Sequence, residues 1–341
     1  MLSQIRTFLR RLAIGLLFLI TVLVLAGASY QAYATHRDNR TLPPPGQMVD
    51  IGDHLLHIDC RGEGSPMILL ESGAQLWSSG WRHIHQDLAR DHRVCAYDRS
   101  GLGWSDPGPP PFDAETAVTE LHALLERSGE SLPFVFVGHS LGGMLAQVYN
   151  DRYPGEIAAA VYIDSGDPAI LIEDFEAQRD DPIRPCSLSC KAQIGFAYLG
   201  VPRLVLNNVD LLDDPAYPPD AVAEFKALAA RPEFLRSAFW IVRYMPAAAF
   251  QTLDAGPILD RPVLVLYSGN YGELVSAGED PAEMQRWKNA YVDSWQQAAD
   301  LSPGGVGPVR IPDANHITVI ASRDHALAVS DHIRDFMGRV P

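Results

Sequence analysis

The sequence predicts an α/β protein: a mostly parallel, eight-stranded sheet with helices on both faces, a helical insertion, and an N-terminal transmembrane helix. Three observations carry that prediction. From residue 47 onward, strand and helix patterns alternate with short loops, the rhythm of a parallel sheet covered on both sides. Between 166 and 259 the alternation stops, and helix-like pieces follow one another without a clear buried strand. Near the start, Leu12 to Ala28 is apolar apart from Gly15, Thr21 and Gly27.

Of the 341 residues, 47% are apolar and 20% charged, enough hydrophobic material for a large core and unlike a disordered chain. The net charge of −15 argues against a nucleic-acid partner, because phosphate binding needs clustered Lys and Arg. That charge is unevenly spread. Residues 1–40 hold five arginines and one acid, Asp38, and the rest of the chain is strongly acidic.

The apolar run would extend about 25 Å as a helix, a little short of a hydrocarbon core of about 30 Å; Ser29 to Tyr33 complete the length. Arg6, Arg10 and Arg11 before the run predict a cytoplasmic N-terminus and an exported remainder. Residues 1–35 therefore read as a signal anchor. The alternative is a signal peptide cut after Ala28 or Ala34, which would leave a secreted protein. Residues 36–46, ending in Pro43-Pro44-Pro45-Gly46, read as a linker.

The strands follow in order. Met48–Ile51 and Leu55–Cys60 flank Gly52-Asp53 as a hairpin. Met67–Glu71, Arg93–Tyr97, Phe134–Val137 and Ala158–Ile163 are short apolar strands, separated by helical patterns at Trp81–Arg90, Ala114–Ser128 and Leu141–Arg152. Ala221–Ala230 and Pro232–Tyr244 look helical within the 166–259 insertion. Strand signals return at Pro262–Ser268 and Val309–Ile311, with helices at Ala282–Ala299 and Asp324–Met337. The core therefore comprises 47–165 and 260–341. Four cysteines allow three pairings. Cys60 with Cys95 and Cys186 with Cys190 is preferred, since export permits disulfides, and four unpaired thiols are the alternative.

The sharpest chemical pattern is Gly138-His139-Ser140-Leu141-Gly142-Gly143, between a buried strand and a helix. A serine held above a strand end needs a strained backbone, and residues two before and two after it must lack a Cβ. A helix opening at Leu141 aims its N–H groups and positive dipole end at a developing oxyanion. A serine hydroxyl also needs a base. His316 follows the last strand, whereas His325 and His332 fall within the final helix pattern and read as surface residues.

These motifs resemble the α/β-hydrolases, and the resemblance covers residues 47–341. Besides the elbow, Tyr97-Asp98-Arg99-Ser100-Gly101-Leu102-Gly103-Trp104-Ser105-Asp106 is similar to a segment found after the family's fourth strand. Glu71-Ser72-Gly73-Ala74 stands where many members carry His-Gly, and the 166–259 stretch matches the family's insertion site for a helical cap. The resemblance implies the chain order Ser140, acid, His316. It implies oxyanion donors at Leu141 and, by alignment, Ala74. Many members place the acid as Asp where this chain has Gly272, so the acid is either Asp164, at the end of the sixth strand, or Glu273. Asp98 and Arg99 read as an ion pair shaping their loop. The expected activity is carboxylic-ester hydrolysis through an acyl-enzyme on Ser140 with His316 as general base. It requires no metal or organic cofactor, and the expected partners are a small-molecule ester and the membrane. Trp240, Tyr244 and Phe250 are candidate pocket residues, with core packing as the competing role for each. A proline iminopeptidase-like aminopeptidase, with Glu173, Asp174 and Glu176 reading an amino terminus, is one alternative. A non-catalytic binding module on the same scaffold is another.

Overall fold

The computed structural model describes residues 2–208, 219–270 and 281–340. Eight strands form one sheet: β1 (Gln47–Asp50), β2 (Leu55–Arg61), β3 (Met67–Glu71), β4 (Val94–Tyr97), β5 (Phe134–His139), β6 (Ile157–Ile163), β7 (Val263–Ser268) and β8 (Val306–Ile311). Their order is β1-β2-β4-β3-β5-β6-β7-β8. Only the β1–β2 and β2–β4 pairs are antiparallel. Alternate residues of the central strands serve the two faces, as a two-residue period requires. Met67, Leu69, Phe134 and Phe136 enter one core, and Ile68, Leu70, Val135 and Val137 the other.

The first core is covered by α3 (Ala114–Ser128), α4 (Leu141–Arg152), α9 (Pro232–Ala255) and α10 (Pro281–Leu301). The second is covered by α2 (Arg82–Leu88), α11 (Thr318–Ala321) and α12 (Arg323–Met337). Asp113 caps α3 by accepting the Thr116 N–H at 3.0 Å, and Gly129 closes it at φ +76°.

Between β6 and β7 lie α5 (Pro168–Phe175), α6 (Leu188–Tyr198), α7 (Val201–Asn208), α8 (Pro219–Ala229) and then α9. No strand occurs there among the described residues. The Pro232–Tyr244 helix of the sequence reading is too short: α9 runs through Pro246 to Ala255, carried by the buried Ala247, Ala248 and Ala249. A proline removes one helical hydrogen bond, and tertiary burial outweighs that loss here.

The N-terminal helix, α1 (Leu2–Thr41), is 40 residues long and exposed along its apolar run. It is long and apolar enough to cross a membrane. Residues 36–41, read as the start of a linker, continue the helix instead. On this helix Gln31, Ala34 and Asp38 are buried. Arg203 of α7, itself buried, donates to Asp38 Oδ2 at 2.5 Å and to Gln31 Oε1 at 3.2 Å. Gln31 donates in turn to the Ala230 carbonyl. Both disulfides are Cys60–Cys95 and Cys186–Cys190. The first joins directly opposed residues of β2 and β4.

Candidate active site

Ser140 sits between β5 and α4 with φ +54° and ψ −119°, a backbone state that L-residues seldom adopt. Neighbouring strands hold it there. Its N–H donates to the Ile163 carbonyl at 3.0 Å, and its carbonyl accepts from the Gly143 N–H and the Ser165 hydroxyl. The flanking glycines are steric necessities. A Cβ on Gly138 would lie 2.4 Å from the Gly142 carbonyl carbon, and one on Gly142 would lie 2.4 Å from the Glu71 carbonyl oxygen. Leu141 is the first residue of α4, so the helix opens immediately after the serine.

His316 lies between β8 and α11. Asp164 directly follows β6, buried and at φ +45°. Its Oδ1 accepts the Ser268 N–H at 2.7 Å, and its Oδ2 lies 3.5 Å from His316 Nδ1. Neither Oδ2 nor Nδ1 has a hydrogen-bond partner among the described residues. One oxygen is thus tied to the neighbouring strand while the other faces the imidazole. Glu273, the rival acid, lies outside the described residues.

His139 packs beside this group. Its ring stands 4.5 Å from that of His316, and its Nε2 lies 2.7 Å from the His316 carbonyl. Burial, with the neighbouring His316 adding to it, pushes the His139 imidazole down to about 3. A neutral ring whose Nε2 donates to a carbonyl carries its proton there, so His139 holds the His316 backbone in place.

The loop after β3 is organised by Arg99, and here the sequence reading is corrected. Arg99 pairs with buried Glu71, not with Asp98, and donates to the carbonyls of Ser72, Gly73 and Ala74. Tyr97 also donates to Glu71. Burial pushes the Glu71 carboxyl above its ordinary range, with Arg99 and Tyr97 opposing. Asp98 accepts instead from the backbone N–H of Ser78 and Trp104 and faces His57 Nδ1 at 2.9 Å. An acid ending an otherwise apolar strand was the available sign that Glu71 needed a buried cation.

Ser140, His316, His139 and Ala74 line one cavity of about 730 Å³. Its far wall comes from α6, α7, α8 and α9, including Phe225, Phe234 and Phe239. No charged side chain lines it among the described residues. Trp240, Tyr244 and Phe250 are not part of this wall. Trp240 stacks on Phe112 and lies tilted against Tyr244, and Phe250 lies under Arg179. The packing role is the one these three take, and α9 turns Phe234, Leu235, Ala238 and Phe239 to the cavity. Glu176 is engaged by Arg179 at the surface, and the side chains of Glu173 and Asp174 lie outside the described residues.

The fold has counterparts among known proteins. A model of the alpha/beta hydrolase family matches residues 52–330. The chain belongs to that family. A protein of Bacillus subtilis named YbdG is 22% identical over 180 residues, 52% of this chain and 55% of its own length. The chain thus spans little more than half of that relative. Among solved structures, an esterase from Thermogutta terrifontis superposes with a TM-score of 0.54 at 21% identity, covering 86% of this chain and 98% of the esterase. The epoxide hydrolase CorEH does so with a TM-score of 0.62 at 18% identity, covering 86% and 99%. At such identities the two structures speak for the fold.

Proposed function

We propose that this protein is a serine hydrolase that cleaves carboxylic esters. Ser140 Oγ attacks the ester carbonyl while His316 Nε2 takes its proton. Asp164 orients the ring through Nδ1 and stabilises the imidazolium. The N–H groups of Leu141 and Ala74 receive the oxyanion, the first from the opening of α4. Collapse expels the alcohol, which takes the proton from His316. Water, deprotonated by the same ring, then releases the acid and restores Ser140.

The single observation carrying this reading is the Asp164 carboxylate, with Oδ1 fixed by Ser268 and Oδ2 aimed at His316 in the cavity that also holds Ser140. The uncharged wall favours an apolar ester over an amino-terminal peptide, whose ammonium would need a carboxylate. Reaction with a fluorophosphonate tests the assignment: the native protein is labelled and Ser140→Ala is not. Equal labelling of both would overturn it. We further propose that α1 is an uncleaved anchor with the catalytic domain outside the cytoplasm. Cleavage after Ala34 would remove Gln31 from Arg203, and the two disulfides suit an oxidising compartment. Digestion of the hydrolase domain by protease added to intact cells is the expected result.

A further inference from the structure

We propose that the catalytic cavity opens onto the bilayer and draws its substrate, a lipid ester dissolved in the membrane, through an apolar mouth built by α6 and α7. The inference rests on the hydrolase reading above and on α1 spanning the membrane. It adds where the substrate comes from.

Height is the first argument. The apolar run of α1 ends at Ala28, and the turn between α6 and α7 abuts that very end. A Cβ on Gly27 would lie 2.7 Å from the Leu199 carbonyl oxygen, and one on Gly200 would lie 2.9 Å from the Tyr30 ring. Arg203, one turn into α7, then grips Gln31 and Asp38. At about 1.5 Å per residue, these contacts begin in the last turns of the span, which Ser29 to Tyr33 complete, and climb about 16 Å along the stem to Asp38. The α6–α7 turn therefore rests at the membrane interface.

Surface chemistry is the second. Around that turn Phe196, Tyr198, Val201, Leu204 and Val205 are exposed by 51, 48, 39, 51 and 49%. Val201, Leu204 and Val205 are spaced i, i+3 and i+4, an apolar stripe along α7, while Arg203 on another side is buried against α1. A soluble surface does not hold such a stripe without an occupant. Because α1 already brings this turn to the bilayer, the occupant is lipid.

Continuity with the cavity is the third. Phe196, Val201 and Val205 are exposed and also line the cavity containing Ser140 and His316. Ile317, next to the proposed base, is 40% exposed and lines it too. The same side chains thus form the outer patch and the inner wall. An acyl chain leaving the bilayer would pass over them into an apolar space of about 730 Å³, without crossing water.

The test uses the full chain in phosphatidylcholine vesicles. All four native cysteines are in disulfides, so one added cysteine can carry a polarity-sensitive fluorophore. Labels at Tyr198→Cys and Leu204→Cys should be quenched several-fold more by lipids with a nitroxide on the acyl chain than a label at Ser131→Cys, which lies before the start of β5, at the opposite end of that strand from Ser140. Equal quenching at all three overturns the proposal, as does quenching that depends on protein density, the mark of a second copy on this face. The paired variant Tyr198→Asp with Leu204→Glu, neither residue lining the cavity, should turn over a water-soluble short-chain ester at the native rate. Its hydrolysis of a vesicle-borne long-chain glyceride should fall by at least about tenfold, since a carboxylate resists the interface. Both rates falling together, or neither, overturns the mouth. A native protein that hydrolyses neither ester would defeat the hydrolase reading instead, and the quenching would still report on the mouth.

Discussion

The strand ends that carry Ser140, Asp164 and His316 contrast with the helical wall that faces them. At the strand ends each of these three residues is anchored by at least one hydrogen bond to or from backbone. Ser140 is held by Ile163 and Ser165, Asp164 by Ser268 and Leu266, and His316 by His139. In the wall, by contrast, α6 to α9 meet the cavity through aliphatic and aromatic surfaces with few directional bonds. Chemistry that tolerates little displacement is placed on the sheet. Selection by shape is left to elements whose packing can change without disturbing the reaction.

Variants can break that contrast at either side, and the largest effect is expected at the serine. Ser140→Ala should lower ester turnover by about a million-fold with the unfolding midpoint nearly unchanged, measured by steady-state hydrolysis and thermal melting. Asp164→Asn should cost about 10,000-fold, because the ring would be held in the wrong tautomer. Glu273→Gln should leave turnover nearly native, and the reverse pattern would move the acid to 273. On the helical side, Arg203→Ala should destabilise the protein by about 1–3 kcal/mol in denaturant unfolding, since buried Asp38 loses one of its two guanidinium partners and keeps Arg37. Short-ester turnover of the folded fraction should remain.

The smallest effect is a pH dependence. Burial lowers His139 from 6.5 to about 3, so between those values the unfolded chain binds a proton that the folded one refuses. Stability from this group is complete above about pH 6.5 and falls as the pH drops towards 3. The loss at pH 5 is about 2 kcal/mol. His139→Gln should flatten that part of the stability profile, measured by denaturant midpoints from pH 7 to 4.

The same contrast explains what the sequence made legible. Ala114–Ser128 and Leu141–Arg152 were read at their observed bounds because a cap, a glycine, a buried strand or, after Arg152, the proline at Pro154 marks each end. The elbow was readable because a strained serine demands glycines at 138 and 142, a local rule. The partner of Arg99 was not readable, because sequence neighbours at a strand end point apart. Asp98 met His57 and two backbone N–H groups, leaving Glu71, 28 residues away, for the arginine. The phase of α9 was likewise hidden, as Trp240 and Phe234 are equally suited to a cavity wall until the position of the sheet is known. The continuation of α1 through Asp38 depended on Arg203, which lies 165 residues further on.

That last contact bears on any attempt to make this protein soluble by trimming. A chain begun at residue 42 would retain the whole sheet and all four cysteines. It would also leave a guanidinium stranded in a crevice shaped for a carboxylate, with water entering where Ala34 had been. The N-terminal helix is therefore a structural partner of the hydrolase domain, and trimming it away would loosen the roof over Ser140.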